Sequence, residues 1–311
     1  MKINNKTIIT IISYIVTGGF LYYVAVKKID SGMFMATVST ARYEYVLMAL
    51  GVSLFFRLLY HPWLWQKLLA SAEVNVSYRD LVTVNASSLP LKFLLPFKIT
   101  ELVRPVVLNV LGNINYSLAL GSALLLRLLI VMATISLVGV GALLTANASV
   151  LILAVLGIAA SMLVIGLIAY MPIQSTSAQI TSFRHTFKHI PVNTKYALFL
   201  RAVLMQTGEI VSAYCIVQAL GATLGLPQII AGVSIMMLAG MVPLSVQGIG
   251  VRETVAISLF SGVISNEMGL AFGLMITIIH HIIPAICGGL VWVFDSTARI
   301  ISYGNLTECH R

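Results

Sequence analysis

Two stretches of the chain place arginine and glutamate beside helix-breaking residues in otherwise apolar surroundings, a combination suited to holding an anion. One is Met241-Val-Pro-Leu-Ser-Val-Gln-Gly-Ile-Gly-Val-Arg-Glu253. Pro243 predicts the end of a helix at about 229–242, because its ring disfavours helix in the residue before it. Gly248 and Gly250 then let the backbone turn. A new helix from about Val251 would direct its free N–H groups, with Arg252 beside them, toward one point. A guanidinium fork matches two phosphate oxygens, which makes Arg252 the leading candidate for gripping a phosphate. Gln247, Gly248, Gly250 and Glu253 complete the candidate binding set here. Glu253 also has a local reading: with Gly250 as N-cap it falls at N3, where a carboxylate favours the helix start.

The other stretch is Leu89-Pro-Leu-Lys-Phe-Leu-Leu-Pro-Phe-Lys-Ile-Thr-Glu-Leu-Val-Arg-Pro105. Three prolines make it too interrupted for a simple membrane span. A helix starting at Pro96 would place Lys98, Glu101 and Arg104 at three-residue spacing on one face, with Arg104 at its end. An interfacial helix with its charges in water is the other reading of this segment. In both stretches the arginine could instead pair with its neighbouring glutamate, Glu101 or Glu253, and simply stabilise the turn.

Two further charges, Arg127 and Glu209, fall near the middle of long apolar runs, too deep to reach the headgroups easily. They read as a buried ion pair, or Glu209 as a group that couples proton movement to substrate movement. His280 and His281 are adjacent, so on a helix they diverge and do not share a metal. No catalytic cluster, metal set or cofactor motif is expected.

Stepping outward from these residues, the 311-residue chain is 59% apolar and 9% charged, with mean hydropathy +0.98 and formal charge +9. A soluble domain would carry nearer a quarter charged residues, so this is an all-α polytopic membrane protein. The basic residues sit mostly in short connectors, which suits anionic lipid headgroups. Nothing resembles a nucleic-acid-binding pattern. Three cysteines form neither a disulfide framework nor a metal spacing.

Six full spans are predicted at 7–26, 43–60, 117–144, 150–170, 196–220 and 269–294. Arg57, near the end of the second, is read as snorkelling to the headgroups. Trp63 and Trp65 are read as interfacial anchors in the connector that follows. With the N-terminus cytoplasmic, Lys2, Lys6, Lys67, Arg79, Arg184, Lys188, Lys195, Arg299 and Arg311 fall inside, against Lys27, Lys28 and Arg42 outside. The C-terminus is then cytoplasmic too. The two broken stretches would enter from opposite faces as re-entrant elements, the layout of an inverted repeat with its site at the midplane.

Leu94-Leu-Pro-Phe-Lys-Ile-Thr-Glu-Leu-Val-Arg-Pro105 resembles the Pro-Gly-Arg-x-Gly-Glu-x-x-Arg signature of the lysylphosphatidylglycerol synthase/flippase-like transmembrane family. Pro243-Leu-Ser-Val-Gln-Gly-Ile-Gly-Val-Arg-Glu253 is similar to that family's Pro-x-x-x-Gly-Gly-x-Gly-x-x-Glu. The chain departs from the pattern at Phe97, Lys98, Thr100 and Gln247. The resemblance implies one flippase-like membrane domain over 1–311, without the aminoacyltransferase domain that some members carry. It implies translocation of an anionic phospholipid or a polyprenyl-phosphate-linked lipid across the cytoplasmic membrane. A membrane-embedded transferase, or a non-transporting subunit of an envelope lipid or polysaccharide synthesis complex, is the alternative. The expected partners are anionic-headgroup lipids, with a homo-oligomer or envelope-synthesis proteins as further candidates and no nucleic acid.

The Lys/Arg bias is tested by single cysteines in a background lacking Cys215, Cys287 and Cys309. An impermeant thiol reagent added outside should label a cysteine at Ser31 and spare cysteines at Ser182 and Asn305; labelling at Ser182 reverses the orientation.

Overall fold

The computed structural model describes residues 31–94, 100–112, 114–152, 154–159, 190–241, 245 and 248–308. Among them there is no strand. The expected span at 7–26, the second half of that at 150–170, most of the connector at 174–195, and Pro96, Lys98, Pro243 and Gln247 lie outside the described residues.

The helices are α1 (Ser31–Ser39), α2 (Tyr43–Ser71), α3 (Tyr78–Leu94), α4 (Thr100–Gly112), α5 (Tyr116–Leu144), α6 (Ala148–Ala159), α7 (Val192–Leu220), α8 (Leu226–Met241), α9 (Val251–Phe260) and α10 (Asn266–Asp295), the last running on to Glu308. Four of them, α2, α5, α7 and α10, have the length and apolarity to cross a membrane, so the chain is a multi-pass membrane protein. Their outward faces carry Leu143, Leu200, Leu204, Leu290 and Phe294, apolar side chains left exposed as lipid contact requires. Local signals fix several ends. The Asn115 side chain accepts the Ser117 N–H at 2.9 Å to start α5, Ser265 caps α10, and Gly221 ends α7 with a left-handed φ of 65°.

Each of the two stretches carries a pair of described helices. In the first, α3 has 17 residues and α4 has 13; in the second, α8 has 16 and α9 has 10. At ~1.5 Å per residue each arm is shorter than the ~30 Å hydrocarbon layer. Within each pair the arms pack together. The long helices then serve both pairs alike: α10 holds α9 on its first half and α3 on its second, while α5 holds α4 and α8. One expectation needs correction. Arg104 does not end a short helix, because α4 continues through Pro105 to Gly112.

Helices α2 and α10 each widen for one turn, into π-helix at Phe55–Tyr60 and at Ile278–Ile282. The cause is the same in both. Pro62 and Pro284 lack an N–H and would clash with the carbonyl four residues back, so the preceding N–H steps one residue further. That of His61 bonds to Phe56 and that of Ile283 bonds to Ile278. In this register the carbonyls of Arg57 and Ile279 face prolines and lose their backbone donors. Side chains replace them: Asn85 Nδ2 donates to Arg57 O at 2.7 Å, and Ser53 Oγ to Ile279 O at 3.1 Å.

Two apolar cores flank these turns. One joins Leu64, Trp65 and Leu68 of α2 with Leu81, Leu108, Leu126 and Leu198; the other joins Ile216 of α7 with Val233, Phe260, Phe272 and Ile276. Trp65 is fully buried and its indole N–H donates to Ser122 Oγ at 3.0 Å, so it is a core residue and not an interfacial anchor. The span read at 43–60 lengthens to Ser71 because this buried face continues. Helix α7 runs through both cores, and at their junction Gly208 lies against the ring of Phe56, which lets the π turn of α2 approach α7 closely.

A Cβ at position 208 would overlap that ring, so Gly208→Ala should cost about 1–3 kcal/mol. Gly51→Ala, where nothing lies within 4 Å, should be neutral or slightly stabilising. Melting of the two purified variants in detergent compares them; equal melting would remove the close approach.

Candidate functional site

Between the two cores lies a cavity of about 130 Å³ whose described lining is unusually polar for this depth. Arg104 from α4 and Arg252 from α9 both reach it, one from each broken pair. They are 8% and 5% exposed. Arg127 of α5 and Glu209 of α7 line it too, joined by Arg57, His61, Asn85, Gln206, His280 and His281. The described lining therefore holds four guanidinium groups against one carboxylate.

That carboxylate is occupied. Arg57 Nε lies 2.8 Å from Glu209 Oε1, and His280 Nδ1 lies 2.8 Å from Oε2. Both are close charge contacts whose N–H directions fall outside hydrogen-bond geometry. The partner expected for Glu209 was Arg127, and the expected role of Arg57 was snorkelling; the structure instead gives Glu209 to Arg57 and His280. Each comes from a π turn, and the widened turn is what aims it: α2 and α10, which touch through Ser53 and Ile279, both present these side chains to α7. On its far side, His280 Nε2 is 2.8 Å from Ser212 Oγ, and Ser212 Oγ–H donates to Ala49 O at 2.7 Å.

A second run of bonds ties in the first broken pair. Arg104 Nε donates to Ser88 Oγ at 2.8 Å, and Ser88 Oγ donates to Asn85 O at 2.6 Å. Asn85 in turn caps the Arg57 carbonyl. Gln206, one turn before Glu209, donates to Thr134 Oγ1 at 2.7 Å. The polar groups at the cavity thus form a belt around the waist of the bundle.

Arg252 Nη1 is buried and has no hydrogen-bond partner. Arg57 Nε and His280 Nδ1 also lack an aligned hydrogen bond, but each has the Glu209 carboxylate at 2.8 Å, a contact that Arg252 does not share. A buried guanidinium nitrogen without an acceptor carries a desolvation penalty that an incoming anion would remove. Its position depends on glycine: a Cβ on Gly240 would lie 2.6 Å from Arg252 Nε, so the last turn of α8 leaves room for the guanidinium only by having no side chain there. Gly248 (φ 76°) folds against the Gly240 backbone on the same side.

Glu253, expected among the binding residues, is fully buried and used internally. Its Oε2 accepts the Gly250 N–H at 2.6 Å and its Oε1 accepts Thr277 Oγ1 at 2.7 Å. The N3 reading of this residue is the one realised, with Gly250 at φ 87° as N-cap. Glu101 belongs to α4, but its side chain, like Lys98 and Gln247, lies outside the described residues. Asn85, Gln206 and Arg57 escaped the sequence reading. Only the prolines at 62 and 284 signalled the turns that bring Arg57 and His280 inward.

Removing one partner of a buried pair leaves the other charge uncompensated, at about 3–5 kcal/mol. Arg57→Met and Glu209→Gln should each destabilise the protein strongly, and their combination should cost clearly less than the sum in a detergent-melting cycle. Arg127→Met combined with Glu209→Gln should come close to additivity; strong coupling there and none with Arg57 would reassign the pair.

No curated protein matches the chain. The model of the lysylphosphatidylglycerol synthase TM region matches residues 10–288, a stretch that contains both broken pairs, both π turns and the whole described lining of the cavity. The chain belongs to the lysylphosphatidylglycerol synthase transmembrane family, whose work concerns membrane lipids.

Proposed function

We propose that the protein is a lipid translocase: it binds the phosphate of an anionic phospholipid or polyprenyl-phosphate-linked lipid in the central cavity and passes the headgroup across the cytoplasmic membrane. The supporting observation is the meeting of Arg104 and Arg252, one from each broken helix pair, at one buried cavity, with Arg252 Nη1 lacking an acceptor. In this reading α3–α4 enters from the cytoplasmic face and α8–α9 from the opposite face. Neither pair needs to cross the bilayer alone, which accords with arms shorter than the hydrocarbon layer. The acyl tails stay in the bilayer and slide along the protein while the headgroup moves through the polar waist.

Both arginines act as phosphate ligands, and the geometry separates their charge from their shape. Lysine at 252 would keep the charge and lose the planar fork. Glutamine would lose both. A charged hydrogen bond is worth about 1.5–3 kcal/mol, so Arg252→Gln should slow movement of labelled phosphatidylglycerol in liposomes by roughly ten- to a hundredfold, with Arg252→Lys between it and the unmodified protein. Arg104→Gln should behave like Arg252→Gln. Normal rates from well-folded variants at both positions would sink the phosphate grip. Chemical conversion of the lipid, with no movement, would replace the translocase by a transferase.

A further inference from the structure

We propose that Glu209 and His280 hold one transferable proton, and that the protein moves this proton together with the anionic headgroup; the inference rests on the translocase reading and adds its energy source. The argument begins at Ser212. A hydroxyl has one hydrogen, and that of Ser212 is committed to the Ala49 carbonyl at 2.7 Å. The His280 Nε2 lying 2.8 Å from the same oxygen must therefore carry its own hydrogen and donate it. This assigns the ring: Nε2 is protonated, and Nδ1 is the position that varies.

Nδ1 faces Glu209 Oε2 at 2.8 Å. A bare ring nitrogen and a bare carboxylate oxygen would repel each other at that distance, even with the ring direction off the line between them. The pair therefore holds one proton, either on Nδ1, as an imidazolium–carboxylate pair, or on Oε2, as a carboxylic acid beside neutral imidazole. In both forms the two residues together are neutral. When the proton leaves, the pair becomes anionic, the contact turns repulsive, and the His280–Ser212 hydrogen bond is left to join α7 and α10 at this level. The proton therefore acts as a clasp between two helices that line the cavity.

The surroundings give this clasp its link to substrate. Facing the pair across the contact and the cavity are Arg57 from α2, Arg104 from α4, Arg127 from α5 and Arg252 from α9, together with His61 and His281. Glu253 of α9 is turned away into its own helix start. With the proton present, the described lining holds four positive charges from arginine and a neutral pair; without it, one of those charges is offset. An anion at Arg252 is thus favoured by the protonated pair. Linkage requires the reverse as well, so bound anion strengthens proton retention. One proton and one headgroup of charge −1 cross as a neutral set.

The test uses the unmodified protein in liposomes containing labelled phosphatidylglycerol, with a pH-sensitive dye trapped inside and imposed pH differences of either sign. A one-unit difference equals about 1.4 kcal/mol, so coupled movement should drive labelled lipid to about a tenfold asymmetry between leaflets, reversing when the gradient is reversed. Lumenal pH should change with lipid movement, and clamping the membrane potential with a potassium ionophore should leave the asymmetry unaltered. Glu209→Gln, which cannot release a carboxyl proton, should equilibrate the lipid without accumulating it. Should that variant fail to fold, the gradient arms on unmodified protein decide alone. Lipid that equilibrates at the same rate and to the same level under every gradient overturns proton coupling and leaves the translocase standing. An absence of lipid movement under every condition overturns both.

Discussion

Glu209 is the constraint from which much of the structure follows. A carboxylate in the middle of a 29-residue apolar helix carries a large desolvation penalty, and it is retained only where compensating groups can be brought to it. Regular α-helix in α2 and α10 would not present Arg57 and His280 in the same way. The π turns do so, the turns follow from Pro62 and Pro284, and the turns in turn strand two carbonyls. Asn85 and Ser53 exist in the structure as donors for those carbonyls, and through Asn85 and Ser88 the requirement extends to Arg104. Residues far apart in the chain are thereby joined by hydrogen bonds whose origin is one buried charge.

The cavity beside this charge is electrostatically unfinished. Four arginines crowd a volume of about 130 Å³, and the single lining carboxylate among the described residues already serves Arg57 and His280. Like charges at such separations in a poorly hydrated interior repel strongly. Arg252 is held there by packing, in the space left by Gly240 and Gly248, rather than by a hydrogen bond to Nη1. Such an arrangement is a poor way to stabilise a fold and a good way to attract an anion. The contrast with Glu253, whose two oxygens are both committed, separates a residue that builds the helix start from one the helix start displays.

Much of the architecture was legible in the sequence because its causes are local. Pro243 and the glycines at 248 and 250 announce the second break; the apolar runs announce α5, α7 and α10; and Gly250 with Glu253 at N3 announces the start of α9. The site was legible only in part. Arg104, Arg127, Arg252 and Glu209 were found as charges at improbable depth, and all four reach one cavity. Their pairing was hidden, because it depends on the rotation that each π turn introduces. Arg57 looks close enough to a helix end to snorkel, until α2 is seen to run on for about three further turns. Trp65 looks interfacial for the same reason.

The four longest helices carry a further physical consequence. At ~1.5 Å per residue, 29 or 30 residues extend about 44 Å, well beyond the ~30 Å of hydrocarbon in an average bilayer, and an ordinary tilt of about 20° recovers only a few ångströms of the difference. The excess must be met by helix ends standing clear of the hydrocarbon, by steeper inclination, or by thickening of the lipid at the protein's edge. The broken pairs, with arms as short as 10 residues, impose no comparable demand on the lipid beside them. One molecule thus carries apolar helices of very different reach, and a change in bilayer thickness bears on the long helices far more than on the short arms between them.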